Sequence, residues 1–177
     1  MNDPRYGYQR INVIKAIVVD ADGKVLLIQE PETNEWMPGH WGLPGGRPYE
    51  KESLLDALNR KVREEVGINV KARGLFKIEE LLIHERTVMM YIAVCEIEPE
   101  VKPKEGIIYK WVDKSEVEKI DYADFTEFYN KGLLLDYFDN KDKIVPFNFV
   151  ETRNYYIFSG NSEYQRWYLS GTKKPEP

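Results

Sequence analysis

Hydrophobic and polar positions along the chain switch period several times, and each switch marks an element. Residues 11–19, Ile-Asn-Val-Ile-Lys-Ala-Ile-Val-Val, are rich in β-branched side chains with Lys15 as their one charge, which predicts a strand. Asp20-Ala21-Asp22-Gly23-Lys24 has turn chemistry and Val25-Leu26-Leu27-Ile28 returns, so a hairpin is expected. Between Glu30 and Gly46 come Pro31, Pro38, Gly39, Gly42, Pro44, Gly45 and Gly46, a density that breaks regular structure and predicts a long shaped loop. The period then becomes helical: Leu55, Leu58, Val62 and Val66 form one apolar stripe in a helix from about Glu52 to Val66, with Ser53 near its start and Gly67 placed to end it. Strands are expected near 70–76, 88–97 and 107–112. A helical stretch from about Ser115 to Phe138 follows, with Gly132 as its candidate interruption.

A helix buried on a mixed sheet, with more helix later in the chain, predicts an α/β protein of layered α/β/α architecture. From Asn140 the pattern changes to short aromatic pieces that include Phe147, Phe149, Tyr155, Tyr156, Phe158, Tyr164, Trp167 and Tyr168. The expected organisation is a main domain over 1–138 and an extension over 139–177. The extension packs on that domain or on the partner of a homodimer, or helps to form a ligand pocket. Residues 171–177 read as a loose tail.

Composition narrows the class. With 42% hydrophobic and 31% charged residues, the chain is neither disordered nor low in complexity. Lys and Arg number 25 against 30 Asp and Glu, a formal charge of −5, which argues against a nucleic-acid polymer as partner but leaves room for a small anionic ligand. Cys95 is the sole cysteine, excluding an internal disulfide, and it sits in an apolar run as a core residue. Met1–Arg10 lacks an apolar leader pattern, and no run approaches the roughly 20 apolar residues that cross a bilayer, so no membrane partner and a cytoplasmic setting are expected.

The chemistry concentrates on the first helix. At about 100° per residue, Lys61, Glu64 and Glu65 fall on one arc beside the apolar stripe, with small Ala57 on the same flank. Adjacent carboxylates on a rigid helix can ligate a hard divalent cation, Mg²⁺ above all where phosphate oxygens supply other ligands. A glycine loop entering the helix lets backbone approach such a metal or a phosphate.

The complete spacing resembles the Nudix hydrolase signature: Gly, five residues, Glu, seven residues, Arg-Glu, apolar, any residue, Glu-Glu, any residue, Gly, apolar. Eight of its nine specified positions match, at Gly46, Glu52, Arg60, Val62, Glu64, Glu65, Gly67 and Ile68. From average residue frequencies, such a near-match in a chain this long has a chance on the order of 10⁻⁵. The preceding Gly42-Leu43-Pro44-Gly45-Gly46 also looks like the loop that leads into the signature, and the surrounding pattern resembles a Nudix domain over roughly residues 10–138.

That resemblance implies an α/β/α sandwich with a mixed sheet, and divalent-metal-dependent cleavage, with Mg²⁺ or Mn²⁺, of a pyrophosphate bond in a nucleoside diphosphate linked to another group. It implies that Glu64 and Glu65 bind metal with the Gly45 carbonyl, that Arg60 orients the acidic cluster, and that Glu52 supports loop and helix. A further carboxylate from a later loop is expected at Glu105, with Glu79, Glu80 and Glu85 as other acids within reach. For the ligand, Trp36, Trp41, Tyr49 and Tyr91 are candidate stacking rings, Arg47 a phosphate contact, and His40 a substrate contact; His84 receives no metal role.

Lys61 departs from the pattern. It stands where the signature has a glutamate, and an ammonium neither ligates a metal nor acts as a base while protonated. It can pair with Glu64 or Glu65, or hold a substrate phosphate as a point charge. Two functions therefore stand side by side: a hydrolase with fewer metals or a displaced base, and a nucleotide-binding sensor or interaction module that does not cleave.

Overall fold

The run from Gln9 to Val19 forms one long strand, β1, the spine of the sheet. The computed structural model describes residues 9–35, 37–83, 86–97 and 102–146. Among them β2 is Val25–Gln29, β3 Trp41–Gly42, β4 Gly45–Gly46, α1 Leu54–Val66, β5 Val70–Ile83, β6 Arg86–Ile97, β7 Tyr109–Val112, α2 Lys114–Lys119, and α3 Asn130–Asp139. The chain divides into two compact units, Met1–Ile144 and Val145–Pro177, and of the second only β8, Val145–Pro146, falls among the described residues. The aromatic positions from Phe147 to Tyr168 lie outside them, as do Trp36, His84 and Glu85.

β1 runs parallel to β6, in register from Gln9 opposite Arg86 to Val19 opposite Glu96, and β6 pairs antiparallel with β5. On its other side β1 meets the short β4, Ile14 opposite Gly46 and Lys15 opposite Gly45. The expected β1–β2 hairpin forms, but its pairing is recorded only at Val19 and Val25. The turn is closed by Asp20, whose carboxylate accepts the amides of Asp22 and Lys24 at 3.0 and 2.8 Å. Beyond it β1 is committed to β4 and β6, so β2 turns instead to β3 and β7.

α1 begins where Ser53 accepts the Asp56 amide, a cap worth about 1 kcal/mol. It ends at Gly67, whose left-handed φ of 81° suits a residue without a side chain. Ala57, Leu58, Val62 and Val66 are buried, and α1 lies against β1, β4 and β5. On the opposite face Ile17, Leu27 and Ile92 join Val117 of α2 and Leu134 and Tyr137 of α3 in a second apolar layer. Alternation along β1 makes both layers: Ile14, Ala16 and Val18 on one face, Lys15 and Ile17 on the other. The result is the layered α/β arrangement that the pattern predicts.

The later helical stretch breaks over 120–129 rather than at Gly132, which sits inside α3. Ile120 is extended, the Asp121 carboxylate takes the Ala123 amide to start a 3₁₀ turn, and Phe125 drops into the core. Local side-chain bonding and an aromatic anchor outweigh helix propensity there. Cys95 is fully buried, and burial pushes its thiol up to about 12, which leaves it a core residue.

Candidate active site

The loop after β4 is tied to α1 by a clamp. Arg60 Nε and Nη2 donate to Glu52 Oε1 and Oε2, both at 2.7 Å. Glu52 Oε2 also accepts the Tyr49 amide at 2.7 Å, Arg60 Nη2 donates to the Arg47 carbonyl at 3.1 Å, and the guanidinium lies 3.8 Å from the centre of the Tyr49 ring. These bonds, led by those from Arg60, hold the Glu52 carboxyl down to about 2, and the same partnership raises Arg60 above its ordinary value. Arg60 Nη1 reaches on to Glu64 Oε2 at 3.2 Å, so the clamp also fixes one end of the acidic pair.

Glu65 faces the glycine loop. Its Oε2 accepts the Gly45 amide at 2.9 Å, and the side chain is 30% exposed. Burial raises its carboxyl above the ordinary value despite that bond and the charges of Lys15 and Lys61, and Glu30 adds to the rise. Gly45 can be nothing else: φ is 145°, and a Cβ would overlap the Ile14 carbonyl oxygen. Lys61 Nζ stands between the two acids, 3.5 Å from Glu64 Oε2 and 3.8 Å from Glu65 Oε1. Its stem crosses Gly46, where a Cβ would come within 2.8 Å of Lys61 Cε.

A cleft of about 650 Å³ opens beside this cluster, lined by Glu65 and, among others, Ile28, Glu30, Asn34 and Ile107. Gly106 also borders it, whereas its exposed neighbour Glu105 is not among the lining residues. Lys104 instead ties that loop to the end of α1: its amide donates to the Val66 carbonyl and its ammonium to that of Glu64. Arg47 is exposed, Trp41 carries the Lys110 ammonium 3.8 Å over its ring, and His40 Nδ1 lies 2.8 Å from the Pro38 carbonyl. Glu79 is drawn to Lys77 on its own strand.

Two features escape the sequence reading. Glu30 follows β2 directly and lines the cleft, close enough to Glu65 to raise its proton affinity. Lys15 pairs with Glu127 at 3.2 Å and donates to the Leu43 carbonyl at 3.3 Å, and Glu127 Oε2 takes the Thr126 hydroxyl and the Asn130 amide. A lone lysine in an apolar strand was the visible hint.

The sequence pattern described as "NUDIX domain" matches residues 9–147, well over half the chain. The chain belongs to the NUDIX family. Across most of its length it is similar to "Uncharacterized Nudix hydrolase YvcI" of Bacillus subtilis, 26% identical over 149 residues, covering 80% of this chain and 88% of that protein. Over 68 residues it is 38% identical to "8-oxo-dGDP phosphatase NUDT18" of Danio rerio, covering 38% of this chain and 20% of that protein. This chain thus spans about a fifth of the NUDT18 proteins it matches. The fold is similar to that of the MutT protein of Methanosarcina mazei Go1, with TM-score 0.62 at 24% identity, covering 77% of this chain and 97% of the other.

NUDIX proteins generally depend on a divalent metal. Among the described residues of this one, no three acidic, histidine or cysteine side chains stand close enough to hold an ion alone. Mg²⁺ asks for less: one or two carboxylates suffice when phosphate oxygens and water complete its shell. Glu64 and Glu65 are such a pair of hard donors, so the NUDIX site fits a metal that shares its ligands with a bound phosphate.

Proposed function

We propose that this NUDIX domain is a hydrolase that cleaves the pyrophosphate linkage of a small nucleotide derivative with Mg²⁺ or Mn²⁺. The observation that carries the reading is the pair of helix carboxylates around Lys61, Glu65 held on the Gly45 amide of the glycine loop and Glu64 held by Arg60, which Glu52 grips in turn. Relatives named as a CTP pyrophosphohydrolase, 40% identical over 55 residues, and as 8-oxo-dGDP phosphatases support a nucleotide as substrate.

When bound, the metal supplies neutralisation of pyrophosphate charge and a more acidic water. Glu64 and Glu65 hold it. Gly45 fixes the Glu65 carboxylate through its amide, and Arg60 fixes Glu64, so neither has to be ordered during reaction. Arg47 and the half-buried Trp41 are the assigned contacts for phosphate and base, and Glu105 and the Gly45 carbonyl the assigned further metal ligands. Because Lys61 stands where the signature has an acid, the proton of the attacking water needs another acceptor. Glu30 Oε1 is our assignment, since Oε2 already accepts from Asn34 at 2.6 Å.

The test is release of phosphate, pyrophosphate or nucleoside monophosphate from nucleoside di- and triphosphates, nucleotide sugars, ADP-ribose and dinucleoside polyphosphates. Each is run with Mg²⁺ or Mn²⁺, and with Glu65→Gln and Glu30→Gln as controls. Metal-dependent turnover lost in Glu65→Gln supports the hydrolase. The ion pairs of Lys61 favour a second reading, a nucleotide-binding module without cleavage, and saturable binding without turnover across the panel would select it.

A further inference from the structure

We infer that Lys61 is the site's own cation, which receives the phosphate of the ligand directly when no divalent metal is present. This rests on the reading above that the ligand carries phosphate, but not on that ligand being cleaved.

Three observations carry it. First, the ammonium is held loosely. Its two carboxylate contacts, at 3.5 and 3.8 Å, exceed hydrogen-bond length, while the neighbouring Arg60–Glu52 bonds are 2.7 Å. Lys61 is thus attracted by both acids and bonded to neither, and its donors are available to an anion.

Second, it is delivered to one place. The stem lies on Gly46, whose hypothetical Cβ would meet Lys61 Cε, Cδ and Cγ at 2.8, 3.1 and 3.5 Å. A side chain at 46 would push the lysine away, so the glycine serves the lysine as well as the backbone. The stem is thus laid along the glycine loop, and the ammonium faces the same Glu65 carboxylate that accepts the Gly45 amide.

Third, the charge balance allows an anion to enter. Glu52, Glu64 and Glu65 face Arg60 and Lys61, which leaves one net negative charge in the cluster. A glutamate at 61 would leave three, and a phosphate could then approach only with metal ions between. Lys61 accordingly trades metal affinity for metal-free recognition of a phosphate group, as a point charge rather than a bidentate clamp.

The test uses the full chain in EDTA at low salt, with ADP, inorganic pyrophosphate and adenosine as calorimetric probes. Wild type should bind ADP and pyrophosphate, and Lys61→Met should weaken both at least tenfold while adenosine shows no dependence on residue 61. Lys61→Glu should abolish metal-free ADP binding and tighten Mn²⁺ binding, measured without nucleotide, at least tenfold. Circular-dichroism melts check folding, with Lys61→Gln replacing any variant that fails it. No ADP binding by wild type in EDTA, or equal binding by wild type and Lys61→Met, overturns the inference. Turnover in Mg²⁺ is measured separately, so its absence with these binding results intact overturns the hydrolase and leaves the role of Lys61 standing.

Discussion

Arg60 grips the Glu52 carboxylate through two parallel hydrogen bonds of 2.7 Å, and by that grip the helix end of the site is joined to its loop end. Both oxygens of Glu52 are used, one of them twice, so the loop backbone at Tyr49 is positioned by the same side chain that positions Arg60.

The depressed carboxyl of Glu52 gives this joint a pH signature. Its pKa is about 2 in the folded chain against an ordinary value of 4.5, so between those values the unfolded chain binds the proton more readily. The stability that Glu52 contributes is therefore present above about pH 4.5 and is lost as pH falls towards 2. Glu52→Gln should melt at lower temperature than wild type at pH 6, with the gap closing as pH falls through that window. A gap that stays constant from pH 6 to pH 2.5 would show that the ionised clamp does not contribute.

Glu65 works in the opposite sense. Burial raises its folded pKa, so the favourable neutral state is available below the ordinary carboxylate pKa and is lost as pH rises through the folded value. Above the folded value the metal-free domain holds a charged carboxylate at a cost. Glu65→Gln should melt at or above the wild-type temperature at pH 7 in EDTA, yet lose at least a hundredfold in turnover. A lower melting temperature together with unchanged turnover would make Glu65 a structural residue.

How far the sequence foretold this site depended on chain distance. Arg60, Glu52, Glu64 and Glu65 share one helix and the loop entering it, so helical geometry and the signature spacing place them without tertiary information. Lys15 and Glu127 meet only because β1 and the segment before α3 converge on the same sheet face, and nothing local to either residue encodes that meeting. The parallel alignment of β1 with β6 was hidden for the same reason. The break over 120–129 was missed because a propensity argument looked to Gly132, whereas Asp121 and Phe125 decided it through a cap and a buried ring.

The Lys15–Glu127 pair should prove structural as well as local to the site. The side chains are 14% and 28% exposed, and removing one partner leaves the other charge partly buried and unpaired. Burial works to raise the Glu127 carboxyl, but the Lys15 charge and the hydrogen bonds to Thr126 and Asn130 outweigh it and hold the group below its ordinary value. Lys15→Met should cost about 3 kcal/mol in urea unfolding, and Lys15→Met with Glu127→Leu should recover much of that loss. A double variant no more stable than Lys15→Met would show that the bonds to Thr126 and Asn130, rather than the charge pair, carry the stability.

Metal and nucleotide should strengthen each other's binding at this site. Two carboxylates cannot complete the shell of a divalent ion, Lys61 competes for both of them, and among the described residues no third carboxylate, imidazole or thiol stands close enough to join them. Phosphate oxygens supply what is missing and draw the ammonium off the acids, so each ligand raises the affinity of the other by the same factor. Mn²⁺ binding, followed by electron paramagnetic resonance, should therefore be weak for the free protein and at least tenfold tighter with a non-hydrolysable nucleotide. The nucleotide should in turn bind tenfold tighter with Mn²⁺ than in EDTA, once binding of Mn²⁺ to free nucleotide is subtracted. Equal Mn²⁺ affinity with and without nucleotide would mean that the protein completes the shell by itself, with the Gly45 carbonyl and Glu105 as the ligands to test next.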